Sequence, residues 1–357
     1  MNLADLTRRL AEWLKGTGPL SNVVVSSRVR LARNLAGMPF LSRCSSSQQR
    51  EIAEQLRGML VKTPLPGEML YVDVENADPL DRLILVERHL ISRQHADATG
   101  PRGVAVAGGE SVAVMVNEED HLRVQVLRGG LQLDSCYSEI RRLDELLEER
   151  LSFAFSSRFG YLTACPTNVG TALRVSVMLH LPALKMTGQI EKALRAARDM
   201  HLAVRGLYGE GTEAVGDLFQ VSNQATLGKA EEQIVHEFKE QIVPGIIEYE
   251  RRAREALLKN RRVALADKVH RALATLSAAR LISSEETMYL LSHVRLGLSL
   301  GIADGVSAET INELSLLAQP GHLQVLHDKP GMAPAERGEA RANLVRRKLG
   351  SLKPEAE

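Results

Sequence analysis

A run of acidic and amide residues in the first half of the sequence has the composition of a reactive site. It reads Asn117-Glu118-Glu119-Asp120-His121-Leu122-Arg123. Apolar residues recur at every second position on both sides of it, over 112–116 and 122–126. That period of two predicts a β-hairpin whose connecting turn carries carboxylates. A lone acidic turn is most simply a solvated sheet rim, so a reactive site requires suitable residues elsewhere in the chain.

Arginines recur on the polar faces of other predicted strands. Arg28 and Arg30 are two residues apart and share one strand face, and Arg123 and Arg174 each lie on the polar face of a strand. A guanidinium stays charged and binds two phosphate oxygens at once, which suits a triphosphate site. Together with Arg205 these residues can form a cationic floor on one sheet face. Exposed arginines paired with surface carboxylates are an equally open interpretation.

Motifs that bind phosphates through a glycine-rich backbone are absent from the sequence. The run Leu227-Gly228-Lys229-Ala230 lacks the glycine spacing and the hydroxyl of a phosphate loop, and no strand-to-helix G-x-G-x-x-G occurs. Side chains would therefore have to hold a bound nucleotide.

Two further candidates lie in turns or loops. Cys165 ends the strand-like segment 161–165, directly before a Pro-Thr-Asn turn. Most such cysteines are small buried apolar residues, although nearby arginines would lower the pKa of the thiol and make a thiolate possible. Glu210 lies in the glycine-rich loop 208–216, where solvation is the simplest interpretation. The glycines would also let this loop close over a ligand.

The periodicity of the remaining sequence predicts an α+β domain followed by an all-helical one. Helices are expected at 1–15, 45–62 (with Ser47 as a cap), 78–93, 138–151, 189–200 and 229–259, the last with a kink near Pro244. Strands are expected at 23–31, 104–126, 161–165, 173–181 and 202–207. Beyond residue 258 only helical segments follow, at 263–280, 284–300, 307–318 and 334–349, with Ser283 and Glu286 spaced as a capping box. We therefore expect an antiparallel sheet flanked by helices in 1–257 and a helical domain in 258–357.

Composition excludes several other classes of protein. The 357 residues are 44% hydrophobic and 25% charged, which is typical of a globular protein of about two domains. A net charge of +1 gives no electrostatic reason to expect nucleic acid or a membrane as partner. The basic run 251–262 lacks aromatic residues for base stacking and is best explained as a solvated helix face. Three scattered cysteines and no signal peptide predict a cytoplasmic protein with no structural metal.

Four motifs, taken in order and spacing, resemble the phosphagen (guanidino) kinase family. They are Ser-Ser-Arg-Val-Arg at 26–30, the acidic run at 117–123, Cys-Pro-Thr-Asn with the following arginine at 165–174, and Arg-Gly with Gly-Glu at 205–210. Within this family the chain resembles the bacterial branch that phosphorylates arginine side chains in proteins. The first motif begins too early for the N-terminal domain of the small-guanidine kinases, and a helical extension follows the catalytic region.

The resemblance implies a role for each matching residue. The five arginines named above match those that bind the ATP phosphates. Glu119 and Glu210 match the acidic pair that holds the acceptor guanidinium, and Cys165 matches the cysteine that contacts it. ATP and Mg²⁺ are the implied substrate and cofactor, and the γ-phosphoryl group would pass directly to the guanidinium without a phosphoenzyme. Positioning and charge neutralisation would then supply most of the catalysis.

One motif of the protein-arginine branch is altered in this chain. Its C-terminal Arg-Asp-x-x-Arg-Ala resembles a phosphoarginine pocket, whereas residues 337–342 read Arg-Gly-Glu-Ala-Arg-Ala. Arg337 and Arg341 keep the two basic positions, but Gly338 removes the carboxylate. Glu339 is a poor substitute, because a shift of one residue turns a helical side chain by about 100°.

The leading hypothesis is ATP-dependent phosphorylation of exposed arginine side chains in proteins. The alternatives are a kinase for a small free guanidine and a non-catalytic adaptor that binds phosphoarginine. An adaptor would not need the complete set of acidic, cysteine and arginine residues. The resemblance also implies partners in a bacterial stress response: a zinc-binding activator, a heat-shock transcriptional repressor and the Clp ATPase and protease, which would degrade marked proteins. It further suggests a homodimer.

Overall fold

The computed structural model of the chain describes residues 3–7, 9–206 and 215–350. Over these ranges eight strands form one antiparallel sheet in the order β2-β3-β4-β5-β1-β8-β10-β9, and β6 pairs with β7 separately. The strands are β1 (Val24–Arg33), β2 (Leu70–Asp73), β3 (Gly103–Ala107), β4 (Val112–Val116), β5 (Leu122–Gly129), β6 (Phe155–Ser156), β7 (Gly160–Tyr161), β8 (Leu173–His180), β9 (Leu202–Arg205) and β10 (Leu218–Asn223).

Helices pack against both faces of this sheet and form the C-terminal third of the described chain. They are α1 (Leu3–Thr7), α2 (Ser46–Leu60), α3 (Pro79–Glu87), α4 (Arg93–Asp97), α5 (Leu133–Glu148), α6 (Pro182–Met186), α7 (Ile190–Asp199), α8 (Glu231–Glu237), α9 (Val243–Asn260), α10 (Arg262–Ala278), α11 (Ser284–Ser299), α12 (Ala308–Leu317), α13 (Pro320–Leu326) and α14 (Pro334–Gly350). The predicted antiparallel sheet, flanking helices and helical C-terminal region are confirmed.

The central strand β1 shows how alternation along a strand separates the core from the site. Val29 and Leu31 are buried in the main hydrophobic core, together with Ile140 of α5. Arg28 and Arg30 alternate with them and therefore point to the opposite face of the sheet. That face is not covered by α5 and is open to a ligand.

The structure differs from several of the predicted elements. The predicted strand 161–165 pairs only at Gly160–Tyr161, because beyond it side chains of other segments bind the backbone. The predicted helix 78–93 ends early, at Glu87 of α3, since His89 has a positive φ of 58°, and a separate helix, α4, begins at Arg93. Strand β10 and helix α13 were not predicted.

Capping and helix breaks follow local chemistry. The hydroxyl of Ser45, rather than the predicted Ser47, caps α2 by accepting a hydrogen bond from Gln48 N. Ser283 caps α11 in the same way, as its position predicts. Before Pro244 the helix widens into a π-helical segment, Phe238–Ile242, because proline cannot donate a backbone hydrogen bond.

The helical C-terminal region has its own core but is joined to the sheet domain. Val294, Leu314 and Val345 belong to a cluster within it. Val269 of α10 and Leu296 of α11 instead belong to the main core that also contains the sheet. No helix in the ranges described has both the length and the apolar composition needed to cross a bilayer.

Candidate active site

The face of the sheet that carries Arg28 and Arg30 forms the floor of a cavity of about 480 Å³. All five arginines predicted from the sequence line it, together with two of the three predicted catalytic residues. These residues are Arg28, Arg30, Arg123, Arg174, Arg205, Glu119 and Cys165. The fold thus brings together side chains from five segments that are distant in sequence.

Strand register places the arginines side by side. Arg30 of β1 lies opposite Arg174 of β8, and Arg205 of β9 lies opposite Gln220 of β10. Like charges directly opposite each other on neighbouring strands destabilise a sheet. A cluster of cations on one face is therefore an arrangement that requires an anion.

The electrostatics of the floor agree with that requirement. Burial and the neighbouring Arg123 and Arg205 lower the pKa of Arg28 to about 10. Burial, followed by the charges of Arg28 and Arg174, holds the pKa of Arg30 well below its usual value. Arg30 Nε is buried and has no hydrogen-bond acceptor among the described residues. A phosphate oxygen would supply an acceptor for Arg30 Nε and negative charge beside the arginines.

The acidic turn forms an ion-paired wall of the cavity. Arg123 Nη1 lies 2.6 Å from Glu118 Oε2, and its Nη2 lies 2.9 Å from Glu119 Oε2. Ser92 Oγ also donates to Glu118 Oε1, at 2.6 Å. Burial favours the neutral form of Glu118, but Arg123 and the hydrogen bond from Ser92 outweigh it and lower the pKa of this carboxyl. The Glu119 side chain remains 34% exposed, so it is accessible to a substrate cation.

Asp120 is fully buried, and the interpretation of this turn as a solvated rim is wrong for it. Its Oδ1 accepts hydrogen bonds from Asn34 Nδ2 at 2.6 Å and from Ala164 N at 2.7 Å. Asn34 Oδ1 in turn accepts from His121 N. The network joins the acidic turn to the segment that carries Cys165. Sequence analysis missed Asn34 and the role of Asp120, because no spacing relates positions so far apart.

Cys165 is half-buried at the cavity wall. It immediately precedes a single 3-10 turn, Pro166–Asn168, and its Sγ lies 2.9 Å from Thr167 Oγ1. Thr167 and Asn168 also line the cavity. The turn therefore presents the sulfur and two polar side chains to the same space as Glu119.

The segment between α3 and α4 forms a further wall that sequence analysis did not identify. His89, Ile91 and Ser92 line the cavity here. Burial, and secondarily the charge of Arg28, lowers the pKa of His89 to about 3, so its ring is neutral. The carbonyl of His89 accepts a hydrogen bond of 2.7 Å from Gln125 Nε2 on β5.

The remaining predicted site residues are Glu210, Arg337 and Arg341. Glu210 falls outside the described residues. Arg337 and Arg341 lie on α14 and do not line this cavity. Arg341 is buried and donates to the carbonyls of Ala318 and Ile282 at 2.7 and 3.0 Å, and Arg337 donates to a backbone carbonyl as well.

Gly338 is packed closely beside these two arginines. A Cβ atom at Gly338 would lie 2.8 Å from Leu281 Cδ1. A larger residue at this position would therefore require Leu281 to move.

Comparisons with known proteins show the family of the chain. The family described as ATP:guanido phosphotransferase, C-terminal catalytic domain, matches residues 51–253. A second family, described as the protein-arginine kinase McsB C-terminal domain, matches residues 262–357. A fold of this type that matches this family, with arginines beside an acidic turn, defines a phosphotransferase that acts on guanidino groups.

Similar whole proteins and solved structures support the same class. The chain is 45% identical over 352 residues to a protein-arginine kinase of Halothermothrix orenii, covering 98% of this chain and 99% of that one. It is 44% identical to a protein-arginine kinase of Bacillus subtilis, covering 95% and 93%.

Among solved structures, a taurocyamine kinase of Schistosoma mansoni with bound transition-state analogue components has a TM-score of 0.59 at 29% identity. That likeness covers 70% of this chain and 36% of the other. A lombricine kinase has a TM-score of 0.56 at 25% identity, covering 70% and 75%. The chain belongs to the ATP:guanido phosphotransferase family and is a kinase.

Proposed function

We propose that this enzyme transfers the γ-phosphoryl group of ATP to the guanidinium of arginine side chains in proteins. The observation that carries the proposal is the meeting of five arginines, Glu119 and Cys165 in one cavity. Similarity along nearly the whole chain to proteins named protein-arginine kinase supports the choice of acceptor.

The arginine floor would bind the triphosphate of ATP. Arg28 and Arg30 lie in line along β1, with Arg174 across from Arg30, so an extended chain of phosphates can contact each in turn. The donor groups are fixed before the phosphates arrive, and the cavity's low dielectric strengthens their effect as charge develops on the transferring group.

The acidic turn would bind and activate the acceptor. A guanidinium is not a nucleophile while it is fully protonated, so the Glu119 carboxylate orients it and accepts a proton from the attacking nitrogen. The nitrogen–phosphorus bond forms as the bond between the γ-phosphorus and its bridging oxygen breaks, and ADP leaves with the electron pair. Cys165 and Glu210 would complete the contacts to the guanidinium. Glu118 would stay ion-paired with Arg123 and hold Glu119 in place.

Mg²⁺ would be held chiefly by the ATP phosphates. The described residues contain no group of three or more His, Cys, Asp or Glu side chains able to hold a metal. Mg²⁺ commonly binds through substrate phosphates, waters and one or two carboxylates, and Glu118 and Glu119 border the cavity where the phosphates would lie. When bound, the ion neutralises charge on the transferring phosphoryl group.

We also propose the organisation and partners that the family resemblance implies. The chain would divide into a catalytic part, 1–257, and a helical part, 258–357, a boundary that falls within the last turn of α9. We expect a homodimer that acts in a stress response with a zinc-binding activator, a heat-shock repressor and the Clp ATPase and protease. Its cysteines are free, which suits the reducing cytoplasm.

The test is phosphoryl transfer from labelled ATP and Mg²⁺ to two acceptors in parallel. We expect acid-labile label on an unfolded arginine-rich protein and little on free arginine. Glu119→Gln should abolish this transfer, whereas Glu145→Gln, on the exposed surface of α5, should not change it. Transfer to free arginine alone would establish a small-guanidine kinase instead. Binding of phosphoarginine proteins without any transfer would establish an adaptor.

A further inference from the structure

A chain of buried polar side chains joins the C-terminal helical region to the wall of the cavity. Glu87, the last residue of α3, accepts hydrogen bonds from the backbone nitrogens of Gly321 and His322 at 2.7 and 3.0 Å. Its Oε2 also lies 2.7 Å from His322 Nδ1. Glu87 is 4% exposed and His322 is fully buried. The start of α13 is therefore attached to the end of α3.

The partners of His322 determine which of its nitrogens carries the proton. Arg88 Nη1 lies 3.1 Å from His322 Nε2, and a guanidinium can only donate. Nε2 must accept from Arg88, so Nδ1 carries the hydrogen and donates to Glu87. Burial, which the bond to Glu87 only partly offsets, lowers the pKa of His322 and keeps the ring neutral. In this tautomer the neutral His322 ring donates to the Glu87 carboxylate and accepts from the Arg88 guanidinium, so it links the two.

Arg88 is held from its other side as well. Its Nε and Nη2 donate to the two carboxylate oxygens of Glu110 at 2.7 and 2.5 Å, and Nη2 also donates to Arg9 O. Arg88 is fully buried. A bidentate pair of this kind allows little movement of the residue that follows α3.

The residue after Arg88 is the cavity-lining His89. Its positive φ of 58° is unfavourable for a non-glycine residue, so the surrounding contacts must maintain it. The ring of His89 packs edge-on against Trp13 at 5.3 Å, and Trp13 packs with Met288 and Leu316 of the C-terminal region. The wall over residues 89–92 is therefore connected to the C-terminal region in two ways. Glu87 and Arg88 bind His322, and His89 packs against Trp13, which packs with Met288 and Leu316.

We propose that His322 is a positioning residue for the nucleotide. By holding Glu87 and Arg88, it sets the conformation of the wall that contains His89, Ile91 and Ser92, and so couples the docking of α13 to ATP affinity. The inference rests on the proposed assignment of this cavity to ATP. If this coupling holds, ATP affinity depends on the helical region, although α13 itself does not line the cavity.

Three substitutions of His322 separate its two contacts. His322→Leu removes both, and His322→Asn keeps a donor at the place of Nδ1 toward Glu87. His322→Gln keeps an acceptor that can reach Arg88. The control is His293→Leu, another buried histidine of the helical region, whose Nδ1 bonds to the carbonyl of Tyr289 in its own helix.

The measurements are ATP affinity by direct titration, KM and kcat, together with thermal unfolding. We expect His322→Leu to raise the dissociation constant and KM for ATP about three- to tenfold with a smaller change in kcat. His322→Asn and His322→Gln should fall between this variant and the parent protein. If His322→Leu does not fold, Glu87→Gln tests the same contact with little change of shape and should also raise KM.

An unchanged KM for ATP in folded His322→Leu would overturn the inference, as would an equal rise in His293→Leu. Arg28→Gln separates this outcome from a failure of the site assignment. If Arg28→Gln weakens ATP binding while the His322 variants do not, only the coupling is refuted. If Arg28→Gln has no effect, the cavity is not the ATP site and the coupling is refuted with it.

Discussion

Strand β1 carries two kinds of arginine that differ in burial and in their partners. Arg33 donates to Asp144 at 3.1 and 2.5 Å and lies 3.4 Å above the ring centre of Tyr161. Arg28 and Arg30, on the same strand, face other arginines across the cavity floor. A charge whose partner belongs to the same chain supports the fold. A charge that lacks a partner of opposite sign within the chain marks a site where an external anion can bind.

The same difference recurs elsewhere in the molecule. Arg88 with Glu110, and Arg254 with Glu250, are buried internal pairs like that of Arg33. Arg123 combines both roles, since it lines the cavity yet is paired with the acidic turn. The internally paired arginines are almost fully buried, whereas those that line the cavity are half-buried, so burial and the nearest opposite charge together distinguish a structural arginine from a binding one.

The largest expected effect is a loss of stability on substitution of Arg33, the arginine whose partner lies within the chain. Arg33→Met should lower the free energy of unfolding by about 3–5 kcal/mol, because Asp144 would be left buried without a cation. Chemical denaturation would measure it. The double variant Arg33→Met with Asp144→Leu should recover most of the loss. A loss below about 1 kcal/mol would mean that the pair behaves like an exposed one.

The next largest effect is a loss of activity on substitution of Arg30, one of the arginines that line the cavity. Arg30→Gln should lower kcat/KM about a hundredfold by removing a phosphate contact. Its free energy of unfolding should rise by about 0.5 kcal/mol, because the repulsion from Arg174 is relieved. Arg251→Gln, at an exposed position of α9, is the control for loss of charge. A large loss of stability in Arg30→Gln would contradict the division of β1 into two kinds of arginine.

Substitution of Asp120 tests whether its buried hydrogen-bond network affects the rate of phosphoryl transfer. Asp120→Ala should lower kcat about tenfold with little change in KM for ATP, because the acidic turn and the Cys165 segment lose their shared hydrogen bonds. Asp120→Asn keeps one acceptor oxygen and should restore part of the rate. Equal kcat values for the parent protein and Asp120→Ala, measured below their unfolding temperatures, would disprove this positioning role.

The smallest effect concerns acid and the pair of Glu118 with Arg123. The folded state lowers the pKa of Glu118 below its ordinary value of 4.5, so its ionised form adds stability above that pH. This contribution is lost as the pH falls through the lowered pKa. The difference in unfolding free energy between the parent protein and Glu118→Gln should therefore shrink below pH 4.5. A difference that grows on acidification would show that the pKa is raised instead.

Much of the fold followed from periodicity. Alternation along 23–31 and 173–181 predicted β1 and β8, and with them the common face of Arg28, Arg30 and Arg174. Strand β10 was missed because Gln220 and Ser222 look like exposed positions. In the fold they line or approach the cavity, where polar residues are buried for function.

Other features had no local signal. The break between α3 and α4 depends on the positive φ of His89, and no glycine or proline at this position indicates the break in the sequence. The segment 162–165 has the composition of a strand, yet Asn34 and Asp120 bind its backbone in place of a neighbouring strand. Side-chain bonds between distant segments decided both conformations.

The sequence by itself determined the class of chemistry. Arginines at alternate strand positions, an acidic turn and a cysteine before a turn are local features, and their residue types set what they can bind. Only the tertiary structure decided which charges are satisfied within the chain. That depends on distances between segments far apart in sequence, so Arg33 and Arg30 look alike in the sequence and differ only after folding has brought Asp144 to one and Arg174 to the other.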